Sequence, residues 1–201
     1  MSHARFASLV LALSASIVGQ AALATPAALC PPAPSSGCRP ANKSLLSITV
    51  AATPERAKLR WWGNNPSGTT FADFGDPTVS TSYAFCLYDT SDRTQPLMFD
   101  EAPAATACAT EPCWELYAST VFLYSDGRHA SDGLSQFKLK VSTGGGSLLG
   151  VKGKGAGLGA PEFPLTTPVR VQIHRSGSSV CWEATYVNPA RNNPVTFFAH
   201  D

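Results

Sequence analysis

Apolar residues in this chain come in short runs cut by turn formers, and several runs alternate with polar residues one for one. Segments 137–141 (FKLKV) and 169–173 (VRVQI) alternate cleanly, the pattern of a strand with one wet face and one buried face. Segments 44–51 (SLLSITVA), 82–88 (SYAFCLY), 121–124 (VFLY), 180–186 (VCWEATY) and 195–199 (VTFFA) are rich in β-branched and aromatic residues, which fit a pleated surface. Shorter pieces at 58–62 (KLRWW), 97–99, 114–117 and 148–154 (LLGVKGK) bring the total to eight to ten strands. Between them lie Asn64-Asn65-Pro66, Gly75-Asp76-Pro77, Asp126-Gly127, Asp132-Gly133, Gly144-Gly145-Gly146 and Asn192-Asn193-Pro194, all turn sequences for reasons of φ and local side-chain bonding. No long window has a helical period. The pattern therefore predicts an all-β fold, an antiparallel β-sandwich of the jelly-roll or immunoglobulin-like kind, spanning 42–201 as one domain.

The N-terminus breaks this pattern. Arg5 precedes an apolar stretch over 6–18, and Ala22-Leu23-Ala24 follows as an A-x-A site. The run is too short to span a bilayer, so residues 1–24 read as a cleaved signal peptide. Leu29 before Cys30 does not fit a lipidation site. Residues 25–41 are rich in Pro and Ala and read as an extended arm rather than a packed element. The expected location is secreted, periplasmic or cell-surface, with no membrane span after cleavage.

Net charge is close to balanced. The chain holds 15 Lys and Arg against 14 Asp and Glu. Removing Arg5 with the signal leaves the remainder formally neutral. A neutral balance shows no surplus for nucleic acid or anionic lipid, so no nucleic-acid partner is expected.

Six cysteines in an exported chain point to three disulfides, with fifteen ways to connect Cys30, Cys38, Cys86, Cys108, Cys113 and Cys181. Cys86 and Cys181 lie in apolar strands and are expected to face the core or a neighbouring sheet. Cys108 and Cys113 flank a Thr-Glu-Pro turn. No C-x-x-C or H-x(3–5)-H pair suggests zinc. Cys113-Trp114-Glu115 is echoed by Cys181-Trp182-Glu183, but the flanks do not repeat.

Candidate chemistry is sparse. The stretch 153–159 (GKGAGLG) lacks the Ser or Thr after its Lys and the following helix that a phosphate loop needs, and Pro161 and Pro164 come next. It reads as a strand entering a flexible loop. His129, His174 and His200 have no G-x-S-x-G partner, and no catalytic residue is assigned. Asp73, Asp76, Asp89, Asp92, Asp126 and Asp132 sit at expected turns, where Asp caps the backbone. No cofactor is called for; loop-bound calcium is the one alternative, although the EF-hand spacing is missing. The best binding clue is Trp61-Trp62-Gly63-Asn64-Asn65. Adjacent strand residues face opposite sides, so one Trp joins the core while the other is free to stack on a sugar or anchor a partner. The candidate binding residues are Trp61, Trp62, Asn64 and Asn65.

Taken in order, Lys43-Ser44-Leu45-Leu46, Asp73-Phe74-Gly75-Asp76-Pro77, Tyr83-Ala84-Phe85-Cys86-Leu87-Tyr88-Asp89, Phe137-Lys138-Leu139-Lys140, Val151-Lys152-Gly153-Lys154-Gly155, Val171-Gln172-Ile173 and Cys181-Trp182-Glu183-Ala184-Thr185 resemble an uncharacterised secreted domain of myxobacteria and related bacteria. The resemblance covers about 38–198 and implies an exported all-β domain, with no activity to carry over. It implies that Cys38, Cys86, Cys113 and Cys181 belong to the family pattern, with Cys30 and Cys108 as an extra pair. The pairing expected from it is Cys30–Cys108, Cys86–Cys113 and Cys38–Cys181; short loops would instead join Cys30 to Cys38. Two function classes follow. The preferred one is a non-enzymatic exported module that binds a surface partner or glycan, or serves structurally. The other is an extracellular hydrolase on an all-β scaffold, working through loop carboxylates or a histidine.

Overall fold

The computed structural model describes residues 29–50, 53–65, 68–108, 111–128, 132–142 and 145–201. The expected signal segment with its cleavage site, and His129, lie outside the described residues. In chain order the strands are β1 Arg39–Pro40, β2 Lys43–Thr49, β3 Lys58–Asn65, β4 Tyr83–Tyr88, β5 Met98–Ala102, β6 Ala107–Cys108, β7 Glu111–Pro112, β8 Trp114–Tyr117, β9 Val121–Ser125, β10 Leu134–Val141, β11 Ser147–Lys154, β12 Val169–Arg175, β13 Cys181–Tyr186, β14 Arg191–Asn193 and β15 Thr196–His200. Two short 3-10 turns, Pro54–Arg56 and Phe71–Phe74, interrupt them. No helix among the described residues is long and apolar enough to cross a membrane.

The strands form a five-stranded sheet, β1-β13-β12-β4-β5, packed against an eight-stranded sheet, β14-β15-β2-β3-β11-β10-β9-β8. All pairings in both sheets are antiparallel except β1 on β13. The predicted all-β sandwich is thus the observed fold. Alternation decides which residues enter the space between the sheets. Leu46 and Ile48 from β2, Leu59 and Trp61 from β3, Phe137 and Leu139 from β10, and Leu149 and Val151 from β11 meet Phe85, Leu87, Val171, Ile173 and Trp182 from the other sheet. Tyr83 sits at the middle of this core. Its ring lies 5.8 Å from Trp114, 5.4 Å from Phe137 and 6.5 Å from Trp182, and its hydroxyl donates to the Phe74 carbonyl at 2.6 Å. The two echoed Cys-Trp-Glu segments therefore both deliver their tryptophans to one tyrosine.

Two expectations need correction. The first concerns the arm, whose described part is packed rather than free. It lies over the outer face of the five-stranded sheet, where Tyr88 donates to the Pro31 carbonyl at 3.0 Å. There the buried Gln172 bonds Ser35 twice, accepting from its N–H at 2.9 Å and donating to its carbonyl at 2.8 Å. A side-chain amide thus gives Ser35 the donor and acceptor that a neighbouring strand would supply. Covering both faces explains why all six residues of β4 are buried: Tyr83, Phe85 and Leu87 face the main core, and Ala84, Cys86 and Tyr88 face the arm.

The second correction concerns the disulfides. Cys38–Cys181 forms as expected, but the other two are Cys30–Cys86 and Cys108–Cys113. Cys86 points outward from its sheet, beneath the arm, so it meets Cys30 and not Cys113. Cys108 and Cys113 instead lie at the two ends of a tight ribbon made by β6 and β7. No free cysteine remains. Three closed disulfides fit an oxidising compartment.

Candidate binding face

The four predicted site residues divide between the two sides of β3. Trp61 is 1% exposed and its indole Nε1 donates to the Tyr186 hydroxyl at 3.2 Å. Asn65 is equally buried and its Nδ2 donates to the Arg39 carbonyl at 2.8 Å. Both serve the fold and are withdrawn from any surface. Trp62 and Asn64 point the other way, onto the outer face of the eight-stranded sheet, with Trp62 half-buried and Asn64 exposed.

Register builds the rest of that face. Outward side chains line up across the strands as Thr49, Lys58 and Lys154; then Ser47, Arg60 and Lys152; then Leu45, Trp62, Gly150 and Lys138; then Lys43, Asn64, Leu148 and Lys140. All six lysines of the chain thus lie on this one face, with Arg60 within them and Arg191 on β14 at the edge. Lys58 stands directly opposite Lys154, and Arg60 directly opposite Lys152. Such pairs sit about 5 Å apart at Cβ, and like charges there disfavour the sheet by roughly 0.2–1 kcal/mol each. Among the described residues, every ion pair lies elsewhere: Arg39–Asp73, Arg93–Asp89 and Arg170–Glu183. The acidic groups nearest this face stand at its margins, Glu55 beside Arg56, Glu115 at the β8 edge, and Asp201 past the end of β15.

Two surface hollows adjoin at the cationic end. One, of about 340 Å³, is bordered by Ser47, Lys58, Arg60, Lys152 and Lys154. The other, of about 440 Å³, shares Thr49, Lys58 and Lys154 with the first and adds Glu55 and Arg56. Next to Trp62 the face has a bare floor at Gly150. A Cβ there would stand 3.8 Å from the Trp61 carbonyl and 4.0 Å from Lys138 Cβ, ordinary contact distances. Packing does not require this glycine, although glycine weakens a strand interior.

The other candidates are held by structural roles. Asp73 caps the Phe71–Phe74 turn through Thr70 and pairs with Arg39 at 3.0 Å; these contacts hold its carboxyl down at about 2. Asp89 ties Ser91, Arg93, Gln95 and the Thr166 amide together, and those hydrogen bonds outweigh its burial and hold it at about 2. Asp76 accepts from the Thr78 amide and hydroxyl, Asp126 from the Arg128 amide, and Asp132 from the Glu101 amide. Asp92 is exposed. His174 meets Gln172 Oε1 at 3.0 Å, and burial lowers its pKa. His200 ends β15, 5.8 Å from the Phe198 ring.

One buried carboxylic acid had no sequence signal. Asp100 on β5 is fully enclosed; the Gly159 backbone faces its carboxyl, but neither oxygen makes a hydrogen bond of ordinary geometry among the described residues. Burial, with the Asp132 charge second, pushes its pKa up to about 8. Enclosure keeps a substrate from reaching it. Among the described residues, no group of three or more His, Cys, Asp or Glu could hold a metal ion. The glycine stretch after β11 does not cradle phosphate either. Its Leu158 is buried in the core, and Gly157 presses against Gly133, whose N a Cβ would approach to 2.9 Å.

Sequence reasoning found Trp62 and missed the cations around it. Their signal was the alternation in KLR, FKLK and VKGK, which puts each charge on one side of its strand; only the register brings those sides together. Compared with family models, curated proteins and solved structures, the chain matches none.

Proposed function

We propose that this chain is an exported, non-enzymatic β-sandwich module of the secreted-domain kind it resembles, and that it binds a cell-surface partner or glycan through the outer face of its eight-stranded sheet. The observation that carries this reading is Trp62, half-buried at the middle of an open face with Asn64 two residues along the strand. A large ring held by its neighbours offers flat apolar area at low cost in side-chain entropy, which suits it to stack on a sugar ring or fill a partner's pocket. Three disulfides support export to an oxidising compartment.

The test is affinity electrophoresis of the oxidised protein through a panel of neutral and acidic polysaccharides, for wild type, Trp62→Phe and Trp62→Ala. The reading expects retardation by at least one polysaccharide, kept in part by Phe and lost in Ala, with the melting temperature of Trp62→Ala within a few degrees of wild type. Undiminished binding by Trp62→Ala contradicts it.

A further inference from the structure

The cations around Trp62 deepen this reading, on which the following rests, because they name the class of ligand. Alternate residues along a strand stand about 6.7 Å apart and neighbouring strands about 4.8 Å apart. From the paired Lys58 and Lys154, through Arg60 and Lys152, to Lys138 and Lys140, the charges form a stripe that runs the length of the sheet and drifts one strand sideways, from β3 and β11 to β10. Its length is about three such steps, roughly 20 Å. Trp62 flanks the stripe, and Gly150 leaves a gap between its ring and Lys138. Directly opposed like charges, with no ion pair formed among them in the described residues, disfavour the empty sheet. A ligand carrying regularly spaced negative charge relieves that repulsion.

We propose that this stripe binds a linear acidic polysaccharide, with one sugar ring stacked on Trp62 over the Gly150 floor and the carboxylate or sulfate groups of successive sugars set against Arg60, Lys152, Lys138 and their neighbours. The charge excludes a second copy of the same face, which would bring cations against cations. A single-stranded nucleic acid is the competing polyanion. Proteins that hold one stack successive bases on successive aromatic rings, whereas Trp62 is the ring that borders the stripe; Phe198 and Tyr117, also on this face, stand two strands away from Arg60 and Lys140 respectively. The formally neutral total charge gives no general attraction for polyanions, so binding depends on this local segregation.

The experiment measures binding of the oxidised protein by titration calorimetry to polygalacturonate, alginate and a sulfated galactan, to fully methyl-esterified polygalacturonate, and to single-stranded DNA. Wild type is compared with the fourfold variant Lys58→Gln, Arg60→Gln, Lys152→Gln, Lys154→Gln and with Gly150→Val. At least one acidic polysaccharide is expected to bind, to lose about tenfold or more in affinity in the fourfold variant, and to weaken steeply with salt as counterion release requires. Gly150→Val, which fills the floor without adding or removing a charge, is expected to weaken it too. Thermal melts check that each variant folds; the fourfold one removes repulsion and should not be less stable.

Equal binding of the esterified and free polymers overturns the proposal while leaving a neutral-glycan module intact. DNA bound more tightly than every acidic polysaccharide overturns it in favour of nucleic acid. Acidic-polysaccharide binding that survives the fourfold substitution places the ligand elsewhere and also overturns it. Absence of binding to all three acidic polymers overturns it as well, and the Trp62 reading then stands or falls on the neutral part of its own panel.

Discussion

The two sheets treat their outer faces in opposite ways. On the five-stranded sheet the chain covers the face itself, with an arm held by Cys30–Cys86, Cys38–Cys181 and the double hydrogen bond between Ser35 and Gln172. On the eight-stranded sheet the outer face carries every lysine of the chain, around one tryptophan, with no ion pair among them in the described residues. On the covered face, Arg170 has Glu183 and Gln172 has Ser35. On the open one, Lys58 faces Lys154. Where polar groups are satisfied within the chain, the surface belongs to the fold. Where charges are stacked at a cost in stability and left unpaired, the surface is set up for something outside the chain.

The sharpest way to break this comparison is at β3, which contributes one tryptophan to each side. Trp61→Ala opens a cavity in the core and removes the indole N–H that donates to the Tyr186 hydroxyl, so it should cost about 3–5 kcal/mol in denaturant unfolding. Trp62→Ala should cost well under half of that and appear instead in binding. Similar losses for the two would remove the distinction between core and face.

Next in size is the arm. Cys38–Cys181 spans 143 residues of sequence. The double variant Cys38→Ser, Cys181→Ser should lose about 2–5 kcal/mol of stability, mostly by freeing the unfolded chain. It should also raise hydrogen exchange at Gln172 and Tyr88, under the arm, while exchange along β3 and β11 changes only by the global loss. Uniform change across both sheets would mean the arm is not what covers that face.

Asp100 sharpens the contrast from within the core. Its acid form is the stable one in the folded state, with a pKa of about 8 against about 4 for an unfolded aspartate. Its contribution is therefore most favourable below about pH 4 and is lost progressively as pH rises to about 8. Asp100→Asn keeps the shape without the charge and should stabilise by roughly 1–3 kcal/mol above pH 8, with the gain shrinking toward pH 4. Thermal melts across that range measure it; a gain independent of pH would show that the charge is not responsible. The paired acids Asp73 and Asp89 carry the opposite sign. Both are held near 2, so their stabilisation is present above about pH 4 and lost as pH falls toward 2.

The smallest expected effect isolates the open face. Gly150→Ala should leave stability unchanged or raise it by up to about 1 kcal/mol, since the strand gains a better residue and meets nothing closer than 3.8 Å. The same substitution should weaken ligand binding. A clear loss of stability would mean that packing, after all, sets the glycine.

How far the sequence was legible follows from the same physics. The strands of the sheet interiors were readable because alternation and β-branched runs are local signals: 114–117 appears unchanged as β8, and β2, β10, β11 and β12 each contain most of their predicted run. β1, β6, β7 and β14 were missed, since pieces of two or three residues carry no readable alternation until a partner strand is present. Asn64 and Asn65, expected to turn, continue β3 because Ser147 and Leu148 pair with them. The disulfides were partly misassigned because connectivity depends on which face Cys86 presents, and only the covering arm decides that. The candidate site was half visible. Trp62 could be found from its neighbour, whereas the cation stripe is a property of register, and a neutral total conceals it.

The most direct test of the account is to map the ligand onto the two faces. Backbone and indole NMR shifts of the oxidised protein would be followed while an acidic polysaccharide, polygalacturonate or alginate, is titrated in. The account predicts shifts at the Trp62 indole and along Lys58–Asn65, Ser147–Lys154 and Leu134–Val141, with the covered sheet around Tyr88, Gln172 and Glu183 unmoved. Shifts confined to the arm and the five-stranded sheet, or spread evenly over both, would contradict it.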